Sequence, residues 1–206
     1  MADTLTQLIE KVQDLLLDDG TRFTTATVTA AIRQALKEFN QAAPVNAGTL
    51  IDAVASQYEY VLDAADFAGL LDILGIWRDD GNEIETQLAY DFYWEDNEPV
   101  IRLAVPQAAG TANLIVRFTK PNTISGLDSE AESTIPAYFD QVIVDGAAYY
   151  SICIRSAGRV ETINLNNDVP DNLREAAATY LLAFMNGKGE AGRQRPKTAQ
   201  VSGWAK

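Results

Sequence analysis

The chain of 206 residues has no histidine and a single cysteine. Without histidine, the commonest general base and the commonest metal ligand are both missing. Cys153 lies inside a long apolar stretch, where a thiol is expected to pack as a small hydrophobe and not to act as a nucleophile. No run approaches the ~20 apolar residues of a membrane-spanning helix, and Met1-Ala2-Asp3 begins with acid where an export signal carries a basic segment, so neither insertion nor secretion is expected. Paired acids occur at Asp18-Asp19, Asp79-Asp80 and Glu95-Asp96, but each sits beside turn residues, where acids serve the backbone. Gly187, Gly189 and Gly192 follow a helix instead of joining a strand to one, so no phosphate-cradling loop is present. The expectation is a protein that is not an enzyme and needs no metal or cofactor.

Positive charge is scarce and unevenly placed. The formal net charge is −13, yet from Gly187 to Lys206 the cations Lys188, Arg193, Arg195, Lys197 and Lys206 face Glu190 alone, a net +4 that leaves −17 for the rest. A body of that charge repels nucleic-acid phosphates, so tight DNA binding by the globular part is not expected. A cationic end on an acidic body suggests that the end has its own partner, or else that it is a solvated extension.

What the sequence does have is helical and strand periodicity in separate blocks. The stretch from Thr134 to Ala157 is apolar on nearly every side and predicts a central buried helix, with Phe139, Val142, Gly146, Tyr149, Tyr150 and Cys153 on its packing face. Pro136 reads as its first-turn proline, with Ser133 and Thr134 as caps. Leu5, Leu8, Ile9, Val12, Leu15 and Leu16 mark a first helix ending at Asp18-Asp19-Gly20. Thr24 or Thr25 caps a second, with the stripe Val28, Ile32, Ala35, Leu36 and Phe39, and Pro44 limits it. These two predict an antiparallel helical hairpin.

From about Leu50 to Lys120 the period falls to two. Strands are predicted around Tyr58–Leu62, Ile73–Trp77, Leu88–Trp94, Ile101–Val105 and Leu114–Phe118, separated by turns at Asp80-Gly81-Asn82, Asp96-Asn97-Glu98-Pro99 and Ala109-Gly110-Thr111. Tyr90, Phe92 and Trp94 share one face of a strand, either as sheet core, which is favoured, or as a platform for sugar rings. A last helix begins after Pro170, buries Leu173, Ala177, Tyr180, Leu181 and Phe184, and is expected to stop at Asn186-Gly187. Beyond it no periodicity remains, and Trp204 stands as a lone apolar anchor on a basic tail that is expected to be mobile without a partner. The fold class is therefore α+β: a helical bundle, made of the N-terminal hairpin plus two long C-terminal helices, with an inserted antiparallel β meander or sandwich and an extended C-terminal tail. The expected divisions are 1–49, 50–120, 121–187 and 188–206.

Two segments carry a resemblance. LIEKVQDLLLDDGTRFTTATVTAAIRQALKEFNQAAP has a helix, a short Asp/Gly turn and a capped helix with an Ile-x-x-Ala-Leu centre, and STIPAYFDQVIVDGAAYYSICIRSA is a Pro-headed helix with an Ala-rich, aromatic second half. Both resemble the head-to-tail connector, or adaptor, proteins of tailed bacteriophages, although the sheet sets this chain apart from the shorter, nearly all-helical members. The resemblance implies a structural virion protein of the neck, made in the host cytoplasm. Such a protein forms a homo-oligomeric ring, a dodecamer, that docks on the portal protein, receives the tail or a second neck protein on its other face, and lets DNA pass through its channel without tight binding; no membrane is involved. It also implies that the C-terminal tail, with Arg193, Arg195, Lys197 and Trp204, enters the portal. Two other classes stay open: a carbohydrate-binding or host-recognition module of a phage tail using Trp77, Tyr90, Phe92 or Trp94, and an enzyme subunit lacking its own active site.

Overall fold

A computed structural model of the protein describes residues 2–18, 20–79, 85–160 and 171–194. They fall into two compact units, one formed by Met1–Pro44 with Asn122–Arg195, the other built on Val45–Pro121.

In the first unit, helix α1 (Leu5–Leu15) opens with a reciprocal cap. The Thr4 side chain accepts from the Gln7 amide, and the Gln7 side chain accepts from the Thr4 amide at 2.8 Å. Asp18 organises the turn after the helix, its carboxylate accepting from the backbone amides of Arg22 and Phe23, so this acid serves the chain and not chemistry. Thr24 caps helix α2 (Thr25–Ala42) by accepting from the Thr27 amide, and Val28, Ala31, Ile32, Ala35, Leu36 and Phe39 are buried along it. Helix α3 (Asp140–Val160) is the common partner: α1, α2 and helix α4 (Asp171–Arg193) all pack on it.

The start of α3 differs from expectation. Pro136 is the cap of a separate 3₁₀ turn, Ala137–Phe139, and no side chain bonds there. Ser133 and Thr134 are occupied elsewhere: their hydroxyls accept from the Ser125 and Thr123 amides, both at 2.8 Å. Two local bonds to the preceding connector outcompete the cap, because the connector's own amides would otherwise be left without partners.

Among the described residues the second unit has seven strands: β1 (Val45–Ala53), β2 (Glu59–Val61), β3 (Asp72–Asp79), β4 (Glu85–Leu88), β5 (Tyr90–Glu95), β6 (Glu98–Leu103) and β7 (Gly110–Lys120). They form two antiparallel sheets, ordered β1-β7-β3-β4 and β2-β6-β5. Leu62, Ile73, Ile76, Ile101, Leu103, Leu114, Val116 and Phe118, drawn from both sheets and the loops, meet in one core. This arrangement corrects three readings. The insertion starts at Val45, because β1 is concealed in the sequence by its Asn46 and Gly48. The single run Leu88–Trp94 is split, since the chain leaves one sheet at Leu88 and enters the other at Tyr90. Only the Asp96-Asn97 signal closes a described hairpin, with both residues at positive φ and Glu95 paired to Glu98. The stretch through Ala109-Gly110-Thr111 instead carries the chain to β7, between β1 and β3. The turn Asp80-Gly81-Asn82 lies outside the described residues.

Where the chain leaves the helical unit and where it returns are tied together. Asn122 donates its backbone amide to the Asn40 side chain at 2.8 Å and its side-chain amide to the Ala43 carbonyl at 2.8 Å. Asn122 is 3% exposed, so these bonds satisfy polar groups that water does not reach.

Candidate functional site

The cationic end of the chain is the strongest functional candidate in the sequence, and α4 delivers it. The Asn186-Gly187 pair predicts a stop, but α4 runs on to Arg193. Gly187 is there for close approach: a Cβ at this position would lie 2.5 Å from a methyl of Val142 on α3. Gly146 of α3 does the same in reverse, a Cβ there falling 2.8 Å from the Phe184 ring and 3.0 Å from Ala35 of α2. One turn further on, a Cβ at Gly192 would lie 3.2 Å from the Ala42 carbonyl oxygen. The three glycines let the last two turns of α4 lie directly on α3 and the end of α2. Residues 188–193 therefore belong to the helical unit and not to a tail. Arg193 stands exposed in the final turn, while Arg195, Lys197 and Trp204 lie outside the described residues.

The residues assigned to the packing face of α3 are placed unequally. Phe139, in the turn before the helix, and Gly146 are buried, with Phe139 edge-on to Phe39 at 5.6 Å. Val142, Tyr149, Tyr150 and Cys153 are only half-buried. The deepest positions are Ile143, Val144, Ala147, Ala148 and Ile152, most of which a single three-and-four stripe leaves to the flanks. The helix is covered on more than one side, so no single stripe describes it.

A polar cluster that the sequence does not reveal locks α4 in place. Glu38 of α2 accepts from the Tyr150 hydroxyl and, on its other oxygen, from Lys188 Nζ at 3.1 Å. The Lys188 ammonium also lies 5.2 Å from the centre of the Phe184 ring. The Tyr150 hydrogen bond, aided by Lys188 and opposed by burial, holds the Glu38 carboxyl below the usual carboxylate range. Burial, followed by Glu38, pushes the Tyr150 phenol well above its ordinary value. A carboxyl whose folded value is lowered contributes stability above its unfolded value, about 4.3, and loses that contribution as pH falls through the folded value. Glu38→Gln is thus expected to cost roughly 1–3 kcal/mol near neutral pH. The difference from wild type should vanish on acidification below the folded value, which melting curves at stepped pH will show; a difference that persists there would mean the ionised carboxyl is not the cause.

Exposed apolar side chains mark surfaces able to receive partners. On α4, Leu182 is 63% and Met185 49% exposed, one turn apart on the side away from Phe184. In the β unit Tyr90 and Phe92 pack against the core, with the Tyr90 hydroxyl donating to the Ile73 carbonyl at 2.9 Å, whereas Trp94 is 56% exposed. Trp77 lies across Gly75 beneath the Arg117 guanidinium, 4.5 Å from its ring centre. Among the described residues, no group of three or more His, Cys, Asp or Glu is placed to hold a metal ion, and no helix is long and apolar enough to cross a membrane.

The sequence matches the family described as SU10 adaptor protein over residues 3–204. No curated protein matches it. Among solved structures it is similar to a chain in the neck of an empty GTA particle computed with C6 symmetry, at 14% identity and a TM-score of 0.32, covering 84% of this chain and 87% of that one. It is similar also to a chain in the neck of a native GTA particle computed with C12 symmetry, at 14% identity and a TM-score of 0.32, covering 87% and 91%. Superpositions this loose do not establish a common fold.

Proposed function

The chain belongs to the SU10 adaptor protein family, and from that premise we propose that it is the head-to-tail connector of a phage-like particle, joining the capsid to the tail. In this reading it assembles as a homo-oligomeric ring, twelve-fold, in the neck of the virion. The ring docks on the portal protein and surrounds the path that DNA takes. The observation that carries the proposal is the family match across almost the whole chain. Charge supports it, because a body at −17 presents a wall past which DNA can slide without sticking. The same charge opposes lateral association of free subunits at low salt, so ring formation is expected to follow docking.

Within this proposal the portal-facing group is the end of α4 together with the segment after it: Arg193, Arg195, Lys197 and Trp204. The test is sedimentation of the purified chain with purified portal rings. Wild type should bind, and Trp204→Ala should weaken binding by about 2 kcal/mol if the indole fills a pocket. Replacing Arg193 and Arg195 should chiefly slow association and heighten its salt dependence. No binding by the wild type would overturn the connector reading, and full binding by Trp204→Ala would remove the tryptophan from it. The carbohydrate- or host-recognition reading is left with the exposed Trp94 and the half-buried Trp77, since Tyr90 and Phe92 pack against the core.

A further inference from the structure

The turn that follows α1 holds a leucine where a glycine would be easier to place. Leu17 has φ +51, and the backbone there closes the helix: its amide donates to the Asp14 carbonyl and the Asp18 amide to the Gln13 carbonyl, both at 3.0 Å. Glycine is the usual residue at that position, because a Cβ crowds the left-handed backbone. The other non-glycine residues at positive φ among those described are Ser56, Asp96, Asn97, Asp128 and Ser129, small polar types that tolerate it better. Nor does the leucine side chain pack on its own fold. It is 94% exposed, against 68% for Tyr138, the next most exposed large apolar residue described. The turn is nevertheless braced, by the Asp18 carboxylate and by the Gln13 side chain, which donates to the Phe23 carbonyl at 2.9 Å. A strained backbone, firmly held, presents an apolar knob to solvent, and that combination suits a pre-formed contact with a partner.

The same unit carries a surface that the knob fits. Arg174, Ala178, Leu182 and Met185 of α4 are all exposed and recur at spacings of four, four and three, so they share one face. Ala178 leaves a dent beside Leu182, and a methionine adapts its shape to what it meets. Asp14, exposed three residues before Leu17, matches Arg174 at the end of the stripe in charge. One copy cannot make this contact with itself. The Tyr180 hydroxyl donates to the Leu15 carbonyl at 3.2 Å, which sets that side of α4 against the end of α1. Leu182, two residues on, turns about 200° away from it.

We propose that Leu17 of one copy of this chain seats against Ala178, Leu182 and Met185 of the next. Knob and receiving face lie on different flanks, so the contact is heterologous and repeats from copy to copy, as a closed ring requires. It rests on the ring assembly proposed above and supplies the surfaces for it.

Crosslinking tests the contact without any portal, at high salt to screen the repulsion between acidic bodies. In a Cys153→Ser background, Leu17→Cys and Leu182→Cys are made as separate proteins and treated with a short bismaleimide. The mixture should give covalent dimers and neither protein alone should, since a heterologous contact keeps like residues apart. Leu17→Gly in otherwise wild-type protein should raise the urea midpoint of the subunit by relaxing the backbone. The same change should weaken association, followed by sedimentation velocity, on the order of tenfold. A mixture that gives no dimers would overturn the proposal, as would association indifferent to Leu17→Gly. So would a lowered urea midpoint, which would make the leucine part of its own copy's fold. Copies that associate through other surfaces would end this contact and leave the ring standing. A chain that crosslinks as expected yet fails to bind portal rings would keep the contact and lose the connector reading.

Discussion

Phe184→Ala should lower the stability of the helical unit by about 3–5 kcal/mol, the largest effect expected of any single truncation in α4. Phe184 is completely buried, lies edge-on to Tyr150 at 6.4 Å and fills the space that Gly146 leaves open. Removing the ring opens a cavity between α3 and α4 and strips the Lys188 ammonium of its aromatic face. The cavity has a specific remedy. Gly146→Ala alone should destabilise by about 1–3 kcal/mol, because its methyl would sit 2.8 Å from the ring. In the Phe184→Ala background the clash with the ring is gone and only the 3.0 Å approach to the Ala35 methyl remains, so the same methyl should restore part of what was lost. Urea titrations of the four proteins measure the coupling, and its sign is the test. Additive losses would mean that the two residues do not share one space. The β unit has a separate core, so a probe of helix content reports this transition selectively.

Two deletions separate folding from docking at a boundary seven residues long. Ending the chain before Lys188 removes Lys188 from Glu38, Ala191 from a position that is 3% exposed, and the turn that rests on Ala42. Leaving Glu38 without its cation and shortening α4 should cost roughly 2–3 kcal/mol. Ending it after Gln194 breaks none of these contacts, and the helical unit should keep its stability to within about 0.5 kcal/mol. On the connector proposal, the second deletion abolishes portal attachment all the same. Calorimetry with portal sedimentation distinguishes the cases: a shortened chain that still docks would return the portal-facing surface to the body, and a stable chain lacking 188–206 would make the end of α4 dispensable.

The location of that boundary shows what is legible in the sequence. The stripes of α1 and α2 and the Thr24 cap can be read directly, because they act through neighbours three or four residues away, whereas the Thr4 cap, local in the same way, is found only in the structure. The end of α4 cannot be read in this way. Asn186-Gly187 is the usual stop signal, and the same two letters serve a helix whose glycine faces Val142, far off in sequence. A hint is present in the spacing of Phe184, Lys188 and Ala191, which keeps one face in phase past the glycine. Glu38, Tyr150 and Lys188 meet only after folding, so nothing local announces that cluster. β1 escapes a search for alternation because its residues include Ala47, Thr49 and Ala53, too small or polar to show as a hydrophobic period. The aromatic run from Tyr90 to Trp94 favours the core reading by size alone, and Tyr90 and Phe92 do pack on the core.

The junction made by Asn40, Ala43 and Asn122 governs how such a chain can be rebuilt. Val45 pairs with Lys120, so the β unit brings its own two ends together, and the helical unit meets them already closed. A disordered insertion of that length would impose on the helices a loop-closure entropy that grows with the logarithm of its size. A folded one with adjoining ends imposes hardly more than a short turn does. The helical frame is then indifferent to what hangs from that junction, and the β unit is a cassette: a lineage can enlarge it, shrink it or exchange it while α1, α2, α3 and α4 go on folding as before.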